Sequence, residues 1–156
     1  MVRGKLLWTT YWRIVSFLVY FLILLLVNGL SQVLNNQYFS QIVDFMNSTL
    51  GIVAASVLLA FLGDLVWVLL FPMNLFAPLL HGVSAVFTLE FVLRLVDLIG
   101  RMLPLPELNQ LIAAMPRYIL YLVIFIIVIL AEYISLFSDM AESRRPPPPY
   151  RRYERY

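Results

Sequence analysis

Residues 118–137 read YILYLVIFIIVILAEYISLF, an apolar stretch whose only charged side chain is Glu132. About 20 apolar residues in a helix cross the hydrocarbon core of a bilayer, because each helical residue rises about 1.5 Å. This stretch is therefore long enough for a transmembrane helix. It predicts that the chain is an integral membrane protein.

The composition of the whole chain predicts the same class. Of its 156 residues, 62% are hydrophobic and 13% are charged, and the mean hydropathy is +0.88. A soluble domain has about 45–50% apolar and about 25% charged residues. The lack of cysteine excludes thiolate metal sites and thiol nucleophiles, and the single histidine, His81, cannot supply the ligand sets of most transition-metal enzymes. We expect no metal, no cofactor and no catalytic residue.

Three further apolar stretches predict an all-α, four-helix transmembrane bundle, with spans at about 12–34, 50–71, 79–103 and 118–137. A polar connection is expected at 35–49, and a proline-bounded turn at 72–78. In an alternative with three spans, residues 72–89 are re-entrant. Residues 138–156 form a polar tail behind the transmembrane domain, which is residues 1–137.

The basic residues predict that the N and C termini are both cytoplasmic. Loops rich in Lys and Arg stay on the cytoplasmic side of a membrane. Eight basic residues precede the first span or lie in the tail, and at most three fall on the other side. The high ratio of arginine to lysine and the lack of cysteine favour a prokaryotic source, so the expected location is its cytoplasmic membrane.

Three titratable side chains, Asp64, His81 and Glu132, fall inside three different predicted spans. An ionisable group near the bilayer centre costs about 2.5–3.5 kcal/mol, so each one needs a partner, water or neutralisation. From the helical rise, Asp64 and Glu132 lie about 5 Å to the cytoplasmic side of the midplane, and His81 about 10–15 Å. Two interpretations stay open: an ion or proton site, or interhelical hydrogen bonds that hold the bundle together.

The third span carries a ladder of alternating charges. At about 100° per residue, the four charged residues share one face of the helix. His81 lies on nearly the opposite face of the same helix. A helix that is polar on two sides cannot expose much of its circumference to lipid. It is expected to pack centrally or against another subunit, with charges that pair at the membrane interface or line an aqueous path. The members of this charge ladder are Glu90, Arg94, Asp97 and Arg101.

The tail combines prolines, arginines and tyrosines. Four consecutive prolines favour the extended polyproline II helix, which would hold the arginines near the anionic lipids of the inner leaflet. Residues 147–150 also match the PPxY pattern that WW domains bind. Arginines interleaved with tyrosines can also bind nucleic acid, but the three arginines at the end of this tail are expected to lie at a membrane surface. No nucleic-acid partner is therefore expected. The candidate partner- or lipid-binding residues are Arg144, Arg145, Pro147, Pro148, Pro149, Tyr150, Arg151, Arg152 and Arg155.

These features favour a non-catalytic accessory or scaffold subunit of a homo-oligomer or a larger membrane complex, in contact with the bilayer and with other membrane subunits. The alternative is a small ion or proton channel or transporter. In that alternative Asp64, His81 and Glu132 form an intramembrane site, and the charge ladder lines its external mouth. An enzyme is not expected, because no spacing of a nucleophile and a base accompanies the carboxylates.

Overall fold

The computed structural model describes residues 2–34, 36–69, 72–103, 110, 114 and 116–143. It contains four long helices: α1 (Val2–Ser31), α2 (Gln37–Trp67), α3 (Ala77–Met102) and α4 (Arg117–Ser143). A short 3-10 helix, Met73–Phe76, lies between α2 and α3. The predicted all-α class with four helices is confirmed. The candidate binding residues of the tail, from Arg144 onward, lie outside the described residues.

Three of these helices, α1, α2 and α4, are long and apolar enough to cross a membrane. Their surfaces are those of a membrane protein, since apolar side chains such as Leu22 and Ile134 are 59% and 70% exposed. The buried residues, in turn, include the polar Thr49, Asp64 and Ser84. The chain is therefore an integral membrane protein by the character of its helices. α3, the remaining predicted span, carries the four charges of the ladder and is not among the three.

The second helix begins well before the expected residue 50. Asn36 caps it, because its side-chain oxygen accepts a hydrogen bond from the backbone N–H of Tyr38 at 2.9 Å. The predicted polar connection at 35–49 is therefore wrong for residues 37–49, which are helical. The polar residues of this segment fall on one side of the helix, while Val43, Met46 and Thr49 are buried on the other.

The first and last helices also continue past the predicted spans. α1 begins at Val2 instead of near residue 12, and α4 continues to Ser143 instead of ending near residue 137. At about 1.5 Å per residue, helices of this length exceed the hydrocarbon thickness of about 30 Å. Both can therefore cross a bilayer and still extend beyond it.

The helices pack in the order of the sequence, α1 on α2, α2 on α3 and α3 on α4. Polar contacts join α1 to α2: Asn28 and Asn47 exchange two amide hydrogen bonds of 3.0 and 3.2 Å. Gly82 lets α3 and α4 pack closely, because a Cβ atom at this residue would lie 2.9 Å from the ring of Phe125. This order leaves α1 and α4 on either side of the α2–α3 pair, with a cleft that residues of all four helices line.

Candidate functional site

One charged or titratable side chain from each long helix meets in a single cluster. Arg13 Nη1 on α1 lies 3.1 Å from Asp64 Oδ2 on α2. The other oxygen of that carboxylate, Oδ1, lies 3.3 Å from His81 Nε2 on α3. His81 Nδ1 in turn lies 3.2 Å from Glu132 Oε1 on α4. The three titratable residues of the sequence prediction are thus brought together, and with Arg13 they form what we name the four-helix cluster.

The cluster has a buried centre and an accessible rim. The side chains of Asp64 and His81 are 6% and 10% exposed, whereas those of Arg13 and Glu132 are both 31% exposed. Neither ring nitrogen of His81 has an aligned hydrogen bond among the described residues, so its contacts of 3.3 and 3.2 Å with the two carboxylates are ion pairs only when the ring carries a proton. Charges in a low-dielectric interior are stable only when paired, and each member of this cluster lies within 3.3 Å of a member from another helix.

The position of the His81 ring depends on two residues of α2. A Cβ atom at Gly63 would lie 2.2 Å from His81 Cδ2 and 2.4 Å from Nε2, so the ring occupies the space that a side chain at residue 63 would need. Trp67 also stacks on the imidazole ring, with ring centroids 6.3 Å apart and planes inclined by 17°. The spacing of Gly63, Asp64 and Trp67 along one turn of α2 therefore holds the imidazole beside the Asp64 carboxylate.

The formal charges of the cluster do not cancel when His81 is neutral. Arg13 contributes one positive charge, and Asp64 and Glu132 contribute one negative charge each. A proton on His81 brings the sum to zero. It also gives each ring nitrogen an N–H beside a carboxylate oxygen, whereas a neutral ring has only one N–H. The four-helix cluster can therefore hold one additional positive charge.

A cleft of about 640 Å³ opens beside the cluster, and we name it the His81 cleft. Hydroxyl groups from α2 and α3 line the cleft, and Ser56 Oγ lies 2.7 Å from Thr88 Oγ1 and 3.2 Å from Ser84 Oγ. The indole rings of Trp8 and Trp12 on α1 line it as well. The cleft therefore combines polar hydroxyls, aromatic rings and the accessible end of the cluster.

The α3 ladder forms a second, separate charged region. Arg94 Nε lies 2.6 Å from Glu90 Oε1, and Arg101 Nη2 lies 2.5 Å from Asp97 Oδ2, each pair one helical turn apart. Tyr121 of α4 donates a hydrogen bond to Glu90. Three of the four members also line another cleft, of about 630 Å³. The ladder thus neutralises its own charges along one helix and reaches a second helix through Tyr121.

Arg13 is the functional residue that sequence reasoning missed. Its place at the start of the first predicted span suggested a role in topology only. Because α1 begins at Val2, Arg13 lies inside the helix and its side chain reaches Asp64. One signal was available: Arg13 is the last charge before a long uncharged run, and a long arginine side chain can bury its stem while its guanidinium finds a partner.

Comparisons of this chain with protein-family models, with curated proteins and with solved structures find no match.

Proposed function

We propose that this protein is a small membrane channel or transporter for protons or cations, with Asp64, His81 and Glu132 as its intramembrane site. One observation carries the proposal: titratable side chains from three helices, and an arginine from the fourth, meet beside a cleft. Ionisable residues are costly within membrane helices and mark ion and proton pathways. Histidine is the side chain best suited to gain and lose a proton near neutral pH.

The proposal includes four spans with both termini in the cytoplasm. We count α3 as a span in addition to the three apolar helices for two reasons. It packs between α2 and α4, and the charges of its ladder are paired along the helix. The excess of basic residues at the two ends of the chain supports the orientation. The cytoplasmic membrane of a prokaryote is the proposed location.

Flux through reconstituted vesicles tests this function. The purified full-length chain in proteoliposomes is expected to carry protons or monovalent cations down an imposed gradient, reported by a trapped pH dye or by an ion-selective electrode. Asp64→Asn and Glu132→Gln should each lower the rate at least about tenfold, because each removes one of the charges that the site needs.

Ser135→Ala is the matched control for the flux experiment, since Ser135 is an exposed residue of α4 outside the cleft. This variant should conduct like the wild type. Wild-type vesicles that pass neither protons nor monovalent cations would reject the function. Carboxylate variants with unchanged flux would reject the assignment of the site.

A non-catalytic accessory or scaffold subunit is the second candidate. Its support is the exposure of α1 and α4, in which 6% of the most apolar segment is buried, compared with 22% in α2. Apolar surface of this extent contacts lipid, further copies of this chain or other membrane subunits. In this role the tail would bind a partner or anionic lipids, so removing residues 146–156 should release partners during purification in mild detergent. The same lone monomer with and without the tail would exclude it.

A further inference from the structure

We infer that the His81 cleft binds a lipophilic organic cation, whose positive charge takes the place of the proton on the four-helix cluster. The inference rests on the proposed function, because it names the substrate class of that same site. Three observations support it: the charge balance of the cluster, the accessibility of Glu132 and the aromatic lining of the cleft.

Glu132 is the carboxylate that a ligand in the cleft can reach. It lines the cleft and is 31% exposed, and among the described residues His81 is its one ion-pair partner. Asp64, by contrast, is 6% exposed and lies beside Arg13. Since Arg13 and Asp64 offset each other, the uncompensated negative charge of the neutral-histidine state lies on Glu132.

The aromatic lining of the cleft suits an organic cation better than a small hydrated ion. Trp8 and Trp12 line the cleft, with ring centroids 5.6 Å apart and planes inclined by 80°, and both are at least 50% exposed. Indole faces attract cations that shed their water easily. The volume of about 640 Å³ also lies in the range of about 300–1,000 Å³ typical of sites for organic ligands.

The geometry of the cluster does not suit a metal ion. His81 lies between the two carboxylates, with one ring nitrogen toward each, so these side chains do not converge on a common point. Within the described ranges no group of His, Asp or Glu has the arrangement of a metal site. The aromatic and apolar lining then selects a larger, weakly hydrated cation.

Binding is coupled to the release of one proton. The charged groups that face His81 are Asp64 from α2 and Glu132 from α4, with Arg13 from α1 behind Asp64. A bound monovalent cation neutralises the cluster with His81 in its neutral form, so the proton leaves the ring for solvent. Competition with one proton makes the affinity rise with pH, by up to about tenfold per pH unit.

Tetraphenylphosphonium is the probe for this inference, and intrinsic fluorescence is the signal. All three tryptophans report on the site, because Trp8 and Trp12 line the cleft and Trp67 stacks on His81. For the full-length chain in nanodiscs of neutral lipid, we expect saturable quenching. The dissociation constant should fall several-fold from about pH 6 to about pH 8.

Variants separate this site from simple partition into lipid. Glu132→Gln should weaken binding at least about tenfold at the higher pH and remove its pH dependence. Trp12→Leu, a change at a half-exposed position, should weaken binding several-fold and keep the pH dependence. Tyr118→Leu is its control, since Tyr118 on α4 is exposed and does not line the cleft. Tetraphenylborate, an anion of similar shape that is titrated on its own, should give no saturable quenching.

The other possible outcomes decide between the cation site and the channel function. Equal binding of the cation and the anion, or binding that Glu132→Gln leaves unchanged, would overturn the inference. Ion flux through the wild type without saturable binding of tetraphenylphosphonium would overturn it too, while the channel function would stand. Saturable, pH-dependent binding without flux would support the cation site and reject the proposed function.

Discussion

The two charged regions of this protein pair their charged side chains in different ways. The α3 ladder pairs its charges between residues one turn apart on a single helix, and Arg101 at its end is 70% exposed. The four-helix cluster takes one residue from each long helix and buries its centre, where the side chain of Asp64 is 6% exposed. The ladder therefore forms wherever α3 is helical, whereas the cluster exists only when all four helices are packed.

This difference has an energetic consequence. A pair at i and i+4 on an exposed helix face contributes about 0.2–0.5 kcal/mol, since water and salt screen it. Removal of one partner from a buried pair costs about 3–5 kcal/mol, since the remaining charge stays in a low-dielectric interior. The cluster should accordingly couple the arrangement of the helices to its protonation, and the ladder should not.

The largest expected effect follows from neutralising the centre of the cluster. Asp64→Asn leaves Arg13 and His81 without the carboxylate that they share. We expect a loss of about 3–5 kcal/mol in the free energy of unfolding, measured by detergent-driven unfolding followed by circular dichroism. Asp97→Asn, the same change in the ladder, should cost less than about 0.5 kcal/mol. Equal losses in the two variants would show that burial does not distinguish the regions.

The second prediction concerns the space that the imidazole occupies. Gly63→Ala places a Cβ atom 2.2 Å from His81 Cδ2, so the ring or the α2–α3 contact must shift. Overpacking of this kind costs about 1–3 kcal/mol. The matched control is Gly51→Ala on the same helix, where a Cβ atom would meet nothing within 4 Å. It should be neutral or stabilising by up to about 1 kcal/mol, because alanine favours the helix.

The same unfolding assay measures both glycine variants. A Gly63→Ala protein as stable as the Gly51→Ala protein would mean that His81 does not press on α2. In that case the close contact between the ring and the helix backbone would not be what fixes the cluster.

The sequence predicts the depth of the cluster but not its convergence. Counting residues from the span ends puts Asp64, His81 and Glu132 in the same half of the bilayer, because the helical rise is fixed. Whether they face one another depends on the rotation of each helix, which depends on contacts such as Gly63 against His81 and Gly82 against Phe125. Those contacts join distant parts of the chain, so no local pattern reveals them.

The ladder could be read directly from the sequence, since spacing along one helix determines which charges meet. The early start of α2 could not, because a polar segment is compatible both with a loop and with the exposed side of a helix. The buried side of that segment, Val43, Met46 and Thr49, decides between the two. It does so through packing with α1, where the hydroxyl of Tyr20 lies 3.0 Å from that of Thr49.

The smallest effect is expected at the exposed end of the ladder, and its salt dependence completes the comparison. Arg101→Gln removes the pair with Asp97 and should lower the free energy of unfolding by about 0.2–0.5 kcal/mol. At about 1 M salt the Debye length falls to about 3 Å, so this difference should vanish. The loss in Asp64→Asn should persist under the same conditions, because salt does not reach a buried pair. If salt abolished both losses, ions would have access to the centre of the four-helix cluster, and its charges would be solvated as those of the ladder are.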